Sequence, residues 1–130
     1  MKKQHYSKKR EAILETISNT KSHPTAEWVY LKLKPLYPDL SLATVYRNIV
    51  YFKKNGNIIT VANVNGQDRY DSNTSEHCHF ICSECFSVID IDIDLNNADI
   101  YEKIKSKYHF QPHYQNTIFY GKCEKCLNEL

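Results

Sequence analysis

The sequence of 130 residues has no long hydrophobic run, and this absence excludes whole classes of protein. No apolar stretch comes near the length of about 18 residues that a membrane span needs. The basic start of the chain is not followed by the apolar segment of a secretory signal. We therefore expect a cytoplasmic protein with no membrane partner. In that compartment paired cysteines serve as metal ligands or redox groups more often than as disulfides.

The chain also has no internal repeat and no low-complexity tract, but its charge is divided unevenly. Residues 1–75 contain 12 Lys and Arg against 6 Asp and Glu, a net charge of +6. Residues 76–130 contain 5 against 9, a net charge of −4. The basic half is the candidate for binding a polyanion, although halves this short differ by a few charges in many proteins.

The first half of the chain predicts three helices. Apolar residues at helical spacing predict the first over residues 8–19. Thr25 is the expected N-cap of a second helix, which Pro35 ends. Ser41 is the expected N-cap of the third, and Gly56 follows its end as the C′ residue. The apolar faces of the second and third helices are expected to contain Trp28, Val29, Leu31, Leu33, Leu42, Val45, Ile49 and Phe52.

The order of elements predicts a DNA-binding domain followed by a second domain. Residues 58–71 predict a β-hairpin with an Asn-Gly turn, and three helices before a hairpin are the order of a winged helix-turn-helix. Strict alternation then predicts a strand over 88–94, followed by a helix with apolar residues at 100, 104 and 108 and a strand over 116–123. The fold class is therefore α+β. We expect a winged-helix DNA-binding domain over 1–71, a linker over 72–76 and a small α/β domain over 77–130.

The third helix, Ser41 to Asn55, is expected to enter the DNA major groove. Ser41, Thr44 and Arg47 lie near its start and away from its apolar face, and Arg47 is placed to read guanine with two hydrogen bonds. Tyr46 either contacts a base methyl or a phosphate, or packs in the core. The basic residues expected to contact phosphates, unless they form a solvated helix face, are Lys8, Lys9, Arg10, Lys53 and Lys54.

Two Cys-x-x-Cys pairs, Cys82 with Cys85 and Cys123 with Cys126, predict a structural zinc site. A two-residue turn aims both sulfurs of a pair at one point, and two pairs complete a tetrahedron. The alternatives are independent thiol motifs or spare buried cysteines, but the helix-start setting of a redox motif is absent. A closed Cys₄ shell leaves no position for a substrate. The ion would instead stabilise a domain too small to have a large core.

The stretch "HCHFIC" places His77 and His79 around Cys78. In a strand both histidines point to one face, while Cys78 and Cys82 point to the other. One strand could then serve two metals, one on each face. The alternative is that both histidines are ordinary exposed polar residues.

Five motifs occur in one order along nearly the whole chain: "SHPTAEWVY", "SLATVYRNI", "DRYD", "HCHFICSEC" and "YGKCEKC". In these motifs the chain resembles the ferric uptake regulator (Fur) family, and within it most of all the peroxide-responsive repressors, PerR. The resemblance implies a winged-helix N-terminal domain, a C-terminal dimerisation domain, a Cys₄ zinc and a second, regulatory metal. It also implies a homodimeric transcriptional repressor on a palindromic DNA operator, and not an enzyme.

The resemblance also implies the ligands of the regulatory metal. The family's histidine before the Pro-Thr-Ala helix start corresponds to His23, and the carboxylate that ends the wing corresponds to Asp71. The His-x-His pair corresponds to His77 and His79. The acid five residues after the first Cys-x-x-Cys corresponds to Asp90, and aspartate at this position favours the peroxide-responsive branch over the iron sensors. Three imidazoles and two carboxylates suit Fe²⁺ or Mn²⁺ with one coordination position open.

Such a ligand set implies a switch, because its members come from both halves of the chain. Metal can bind all of them only when the halves hold one mutual angle, which in a dimer sets the spacing of the recognition helices. The resemblance further implies that peroxide reacts with bound Fe²⁺ and that the oxidant attacks His23 or His77. The oxidised imidazole then binds metal poorly and repression ends. With Mn²⁺ the protein is expected to bind DNA without responding to peroxide.

The sequence departs from the family's pattern at two places. The family's usual extra N-terminal helix has no counterpart, so we expect the DNA contacts of that helix to be missing. The positions that match a third metal site of many members have Glu76, Cys78, Asn97 and Gln115, and we expect that site to be absent. Cys78 is then a thiol ligand or a core residue, and we favour the core.

Three other functions fit parts of the sequence. A regulator of iron, zinc or manganese uptake would have the same fold. Histidines and carboxylates around Fe²⁺ are also an oxygenase ligand set, but the chain has no signature of a substrate pocket. A zinc-ribbon interaction module without a DNA role is disfavoured by the +6 charge of residues 1–75 and by the order of helices and hairpin.

Overall fold

A computed structural model describes residues 2–95 and 97–129, with the side chains of the first helix from Lys8 onward. The chain divides into two compact units, Met1–Thr74 and Ser75–Leu130, so the division falls within the predicted linker. Each unit has its own sheet, of two strands in the first and three in the second. Among the described residues, no helix combines the length and the apolarity that crossing a bilayer requires.

The first unit begins with three helices, α1 (Lys2–Ser18), α2 (Ala26–Leu33) and α3 (Leu42–Lys54). Both predicted N-caps are confirmed, because the hydroxyls of Thr25 and Ser41 each accept a hydrogen bond from the backbone N–H of the third residue of their helix. The predicted C′ glycine after α3 has a φ of 75°, a conformation that glycine adopts without strain. Helix α1 begins earlier than predicted, at Lys2.

The core of the first unit joins the three helices to the hairpin. Its buried members are Ile13, Ile17, Ala26, Val29, Leu33, Leu40, Val45, Ile49, Phe52, Ile58 and Tyr70. The prediction that Leu31 belongs to the apolar face of α2 is wrong, since Leu31 is 69% exposed. The buried positions of α2 are Ala26, Val29 and Leu33. Leu31 lies midway between Val29 and Leu33 in sequence and therefore on the opposite side of the helix.

The hairpin consists of β1 (Ile59–Val64) and β2 (Gln67–Asp71), which pair antiparallel. Its two-residue turn, Asn65-Gly66, has φ values of 54° and 84°, so the predicted Asn-Gly turn is confirmed. The register shifts between Thr60 and Ala62, which marks a β-bulge in β1. The first unit thus has the helices and the wing of a winged helix-turn-helix.

The second unit contains β3 (Cys78–Cys82), β4 (Val88–Ile91), α4 (Ala98–Tyr108), β5 (Ile118–Gly121) and α5 (Glu124–Leu127). Its sheet has the order β4-β3-β5. The central strand β3 pairs antiparallel with β4 and parallel with β5, and α4 provides the crossover that a parallel connection needs. The predicted strand, helix and strand are therefore present.

Two strands are shorter than their patterns predict. The strand expected over 88–94 ends at Ile91, because Ile91 pairs with Cys78, the first residue of β3. In the described part of the chain, no strand pairs with the residues after Ile91 to extend the ladder. Strand β5 covers 118–121 instead of 116–123. The short helix α5 was not predicted.

The second unit exposes many large apolar side chains, and α4 has no buried residue. Ile93 is 62% exposed and Tyr120 is 69% exposed. The other large apolar side chains exposed in this unit are Phe86, Ile89, Ile100, Tyr108, Phe110, Tyr114, Phe119 and Leu127. Exposed apolar surface on this scale is typical of a protein interface.

Candidate metal centres and DNA interface

Four cysteine sulfurs converge in the second unit. Cys82 ends β3, and Cys85 lies in the turn that follows. Cys123 is the N-cap of α5, and Cys126 lies within that helix. All four Sγ atoms lie within 4.8 Å of one another, and the pairs Cys82–Cys126 and Cys85–Cys123 are each 3.7 Å apart. A tetrahedral zinc with Zn–S bonds of about 2.3 Å places its sulfurs about 3.8 Å apart. The four residues therefore fit a closed Zn²⁺ site.

The surroundings of two of the four sulfurs favour the thiolate that zinc binds. The N–H groups of Cys85 and Cys123 each lie 3.5 Å from Cys82 Sγ and lower the pKa of Cys82 to about 6. The hydroxyl of Ser87 hydrogen-bonds to Cys85 Sγ and lowers the pKa of that thiol. Burial raises the pKa of Cys126. A bound cation would balance the charge of that buried sulfur.

The first unit brings two predicted ligands of the regulatory metal together. His23 lies in the loop between α1 and α2, and Asp71 is the last residue of β2. His23 Nε2 lies 3.3 Å from Asp71 Oδ2, with side-chain exposures of 2% and 11%. His23 has a φ of 54° and is followed by Pro24, a residue that favours an extended backbone at the position before it. Holding a non-glycine residue in this region costs about 1–3 kcal/mol, and such strain clusters at functional sites.

The second unit brings the other three predicted ligands together. His79 pairs with Asp90 across β3 and β4, and His79 Nε2 lies 3.2 Å from Asp90 Oδ1. His77 Nε2 lies 3.1 Å from the same oxygen. The ring centroids of the two histidines are 4.3 Å apart. His77 Nδ1 lies 2.7 Å from the carbonyl oxygen of Ser75, an acceptor that places the proton on Nδ1 and makes Nε2 the nitrogen suited to bind metal.

The predicted DNA-contacting residues at the start of α3 form one chain of hydrogen bonds. Ser41 Oγ and Thr44 Oγ1 are 2.8 Å apart, and Arg47 Nη2 donates to Thr44 Oγ1 at 3.0 Å. Tyr46 is 43% exposed, so the alternative that it packs in the core is wrong. These side chains lie on the side of α3 that faces away from the core of the unit.

The basic residues of α1 make contacts within the unit. Lys9 Nζ lies 2.9 Å from Asp39 Oδ2. Arg10 Nε donates to Oδ1 of the buried Asn48 at 2.9 Å, and its guanidinium carbon lies 3.8 Å from the ring centroid of Tyr51. Lys8, Lys53 and Lys54 are exposed. A phosphate contact by Lys9 or Arg10 stays a prediction and would have to coexist with these bonds.

An open concavity of about 470 Å³ lies between α1 and the exposed side of α3. It is lined by Arg10, Tyr46, Arg47, Val50, Tyr51 and Lys54. Sequence reasoning missed Val50 and Tyr51 as part of this surface. The sequence does indicate that Val50 belongs here. Val50 follows Tyr46 by four residues, so the two are neighbours on the helix surface, and neither belongs to the predicted apolar face.

The sequence profile of the ferric uptake regulator family matches residues 2–120 of the chain. The chain belongs to the ferric uptake regulator family. Members of the Fur family are metal-responsive transcription regulators and not enzymes. Both groups of predicted metal ligands thus occur in a chain whose family consists of metal-responsive regulators.

Three relatives illustrate the range of the match. The peroxide-responsive repressor PerR of Staphylococcus aureus (strain USA300) is 31% identical over 120 residues, 92% of this chain and 80% of that protein. The peroxide stress regulator of Campylobacter jejuni has a TM-score of 0.78 at 26% identity, covering 95% of this chain and 92% of its own. The ferric uptake regulator of Francisella tularensis, solved with iron, has a TM-score of 0.77 at 26% identity, covering 92% and 91%.

The likeness to these Fur-family structures confirms the predicted fold class, α+β with a winged-helix domain followed by a dimerisation domain. The residues at the positions of the family's third metal site line one cavity of about 150 Å³ in the second unit. There Glu76 Oε1 accepts hydrogen bonds from the backbone N–H of Gln115 and the hydroxyl of Tyr101, both at 3.3 Å. Cys78 lines the same cavity and is buried. That this third site is absent stays a prediction.

Proposed function

We propose that this chain is a metal-dependent transcriptional repressor that senses peroxide through histidine ligands of a bound Fe²⁺. It acts as a homodimer on a palindromic operator in the cytoplasm. One observation carries the proposal: each unit assembles its own group of imidazole and carboxylate ligands. His23 meets Asp71 in the first unit, and His77 and His79 meet Asp90 in the second.

The two groups together offer more ligands than either offers by itself. The first offers one imidazole and one carboxylate, and the second offers two imidazoles and one carboxylate. A single Fe²⁺ or Mn²⁺ bound by both groups would gain five protein ligands of the type it prefers. It would thereby favour one mutual orientation of the units. The shift in population is limited by the difference in metal affinity between that orientation and all others.

The DNA partner is supported by the exposed side of α3. Arg47 is held by Thr44 at the start of the helix, and Tyr46 and Val50 present apolar surface next to it. In the major groove, arginine reads guanine and apolar groups contact the methyl of thymine. The net charge of +6 on residues 1–75 supports binding to the phosphate backbone.

The homodimer is supported by the exposed apolar surface of the second unit, where α4 buries no residue. A second copy of the chain would cover such a surface, and a twofold dimer would present two recognition helices to two half-sites. The Cys₄ zinc supports the same unit by joining α5 to the end of β3. We propose that this zinc is structural and takes no part in sensing.

The peroxide response would act on the ligand imidazoles. Bound at the site, Fe²⁺ would supply the redox chemistry that splits hydrogen peroxide, with one oxygen atom transferred to the ring of His23 or His77 and the other leaving as water. The oxidised ring would bind metal poorly, so the two units would lose their shared ion and repression would end. His23 is the more consequential of the two, because it is the imidazole that the DNA-binding unit contributes.

The test is operator binding by the purified protein loaded with Fe²⁺ or Mn²⁺, before and after hydrogen peroxide, with mass spectrometry of His23 and His77. Operator binding is expected with either metal, and peroxide should abolish it only with Fe²⁺, together with oxidation of one of the two histidines. Unoxidised histidines and undiminished Fe²⁺-dependent binding after peroxide would instead indicate a regulator of metal uptake.

The matched variant is His23→Ala. It is expected to lose metal-dependent operator binding while it keeps its zinc and its fold, as judged by metal analysis and circular dichroism. Metal-dependent binding of the operator by this variant would show that the regulatory metal does not act through both units.

A further inference from the structure

The loop that carries His23 is held in a conformation that it would not adopt by itself. His23 is buried, has a φ of 54° and precedes Pro24, which restricts the backbone before it. A residue in this region keeps its conformation only where contacts from the surrounding fold hold it there. In the first unit, strand β2 makes several of these contacts.

Arg69, on β2, binds this loop at two consecutive residues. Its Nη2 donates to the carbonyl oxygen of Ser22 at 2.7 Å, and its Nε donates to the carbonyl oxygen of His23. The guanidinium group presents its N–H groups in a rigid, planar fork, so both carbonyls take a fixed orientation. The next residue adds a backbone bond, from the N–H of Tyr70 to the carbonyl oxygen of Pro24 at 3.0 Å.

The alternation of side chains along β2 places Arg69 and Asp71 on one face of the strand. Tyr70, between them, points to the other face and is buried in the core. Asp71 faces the ring of His23, while Arg69 holds the main chain of the same residue. One strand therefore sets both the position of the imidazole and the position of the carboxylate beside it. Arg69 has no lone pair to offer and is not itself a metal ligand.

We propose that Arg69 is a positioning residue for the regulatory metal, holding the His23 loop so that the imidazole lies beside Asp71 before the metal arrives. This inference rests on the proposed function, in which His23 and Asp71 are ligands. A metal that finds its ligands in place does not have to order the loop, so less of its binding energy is lost. Residues that support metal ligands in this way typically contribute about 10- to 100-fold in affinity.

The test uses the full-length, zinc-containing protein titrated with Mn²⁺ without oxygen, with free Mn²⁺ measured by electron paramagnetic resonance. Arg69→Met is expected to raise the Kd for Mn²⁺ about 10- to 100-fold. Arg69→Lys is expected to raise it less, because an amine retains the charge and reaches one carbonyl. Gln67→Met is the matched control: Gln67 lies on the same strand, but its side chain donates to Glu27 of α2, so the Kd should stay unchanged.

Thermal unfolding of the Mn²⁺-free protein, followed by the fluorescence of Trp28, separates positioning from folding. If Arg69 only stabilised the fold, its variants would unfold at lower temperature but bind Mn²⁺ like the wild type well below that temperature. If Arg69→Met is unfolded during the titration, Arg69→Lys decides by the same criterion.

Two outcomes separate this inference from the proposed function. Wild-type Mn²⁺ affinity in the folded Arg69 variants overturns the inference if His23→Ala has lost Mn²⁺ binding. Wild-type Mn²⁺ affinity in His23→Ala overturns the proposed regulatory site itself. A raised Kd in Arg69→Met with an unchanged Kd in Gln67→Met supports both.

Discussion

Single polar side chains in the first unit are held by neighbouring groups before any DNA is bound. Thr44 is the centre of one such arrangement, because its hydroxyl lies 2.8 Å from Ser41 Oγ and accepts a bond from Arg47 Nη2 at 3.0 Å. Arg47 thus uses one guanidinium nitrogen for this hydrogen bond. Because the guanidinium group is planar and rigid, the same bond fixes the direction of its remaining N–H groups. A side chain restrained in this way loses less conformational entropy when it binds a base.

Arg47→Ala is expected to reduce discrimination between operator and scrambled duplex by about 1–3 kcal/mol, because two hydrogen bonds to a guanine would be lost. Affinity for scrambled DNA should change much less. Fluorescence anisotropy with both duplexes over a range of salt concentrations measures the two effects. Lys53→Ala is the control, and it should weaken both duplexes alike and reduce the salt slope by about one. An equal loss on both duplexes for Arg47→Ala would identify Arg47 as a phosphate contact.

At the scale of elements, α1 and α3 are joined by a buried polar contact within an apolar core. Asn48, in α3, is 1% exposed. Its Oδ1 accepts from Arg10 Nε, and its Nδ2 donates to the carbonyl oxygen of Thr44, both at 2.9 Å. The ring of Tyr51 covers the guanidinium of Arg10. The contact sets how α3 lies against α1, since a hydrogen bond demands an orientation that apolar packing does not.

Asn48→Ala is expected to destabilise the first unit by about 1–3 kcal/mol, because Arg10 Nε is left as a donor without its acceptor. Urea unfolding followed by Trp28 fluorescence measures the free energy of unfolding of the first unit selectively. Trp28 is the only tryptophan of the chain and packs against the core of this unit. Val50→Ala, at a position of α3 that is 52% exposed, is the control and should change the free energy of unfolding by less than about 0.5 kcal/mol. Equal stability of the two variants would contradict the structural role of Asn48.

At the scale of the whole molecule, the two units are stabilised by different means. The first has a continuous apolar core that draws on three helices and the hairpin. In the second, α4 buries nothing, and the close approach of four cysteines ties the C-terminal segment to β3. A domain of this size with little core of its own generally needs a metal or a partner subunit. The second unit offers four converging cysteines to a metal and an exposed apolar surface to a partner.

Removal of the proposed Cys₄ zinc is therefore expected to unfold the second unit and dissociate the proposed dimer, while the first unit stays folded. Treatment with a strong chelator should remove the contribution of the second unit to the circular dichroism and halve the mass in analytical ultracentrifugation. The thermal transition of Trp28 should stay as it was. Cys126→Ser should behave like the chelated protein, whereas Cys78→Ser, outside the Cys₄ group, should keep its zinc. A chelated protein that stayed a folded dimer would refute this division.

Features that depend on a few neighbouring residues could be predicted from the sequence. The caps at Thr25 and Ser41 and the Asn-Gly turn follow from local hydrogen bonds and backbone preferences. The convergence of Cys82 with Cys85 likewise follows from a two-residue turn. His79 and Asp90 belong to two strands that could be predicted from the sequence. The register of β3 and β4, which places the two residues opposite each other, could not be predicted.

Other features could not be predicted, because periodicity shows which residues share a face but not what that face meets. The alternating run after Val88 predicts a longer strand, and its length is limited by where β3 begins. Leu31 belongs to an apolar pattern and is exposed. Arg10 is one of several basic residues in the sequence, and its contacts with Asn48 and Tyr51 of a different helix give it a structural role.

The sequence by itself determined the order of elements, the Cys₄ group and the residue types that suit a regulatory metal, because these depend on local spacing and on donor chemistry. The tertiary structure alone decided that Arg69 reaches back to Ser22 and His23, and that Asp71 faces the same histidine. The hydrogen-bond partners of Arg69 lie 46 and 47 residues away, at positions that spacing cannot identify. Such contacts exist only once β2 is paired with β1 and packed beside the loop before α2, since the pairing decides which face of the strand each side chain occupies.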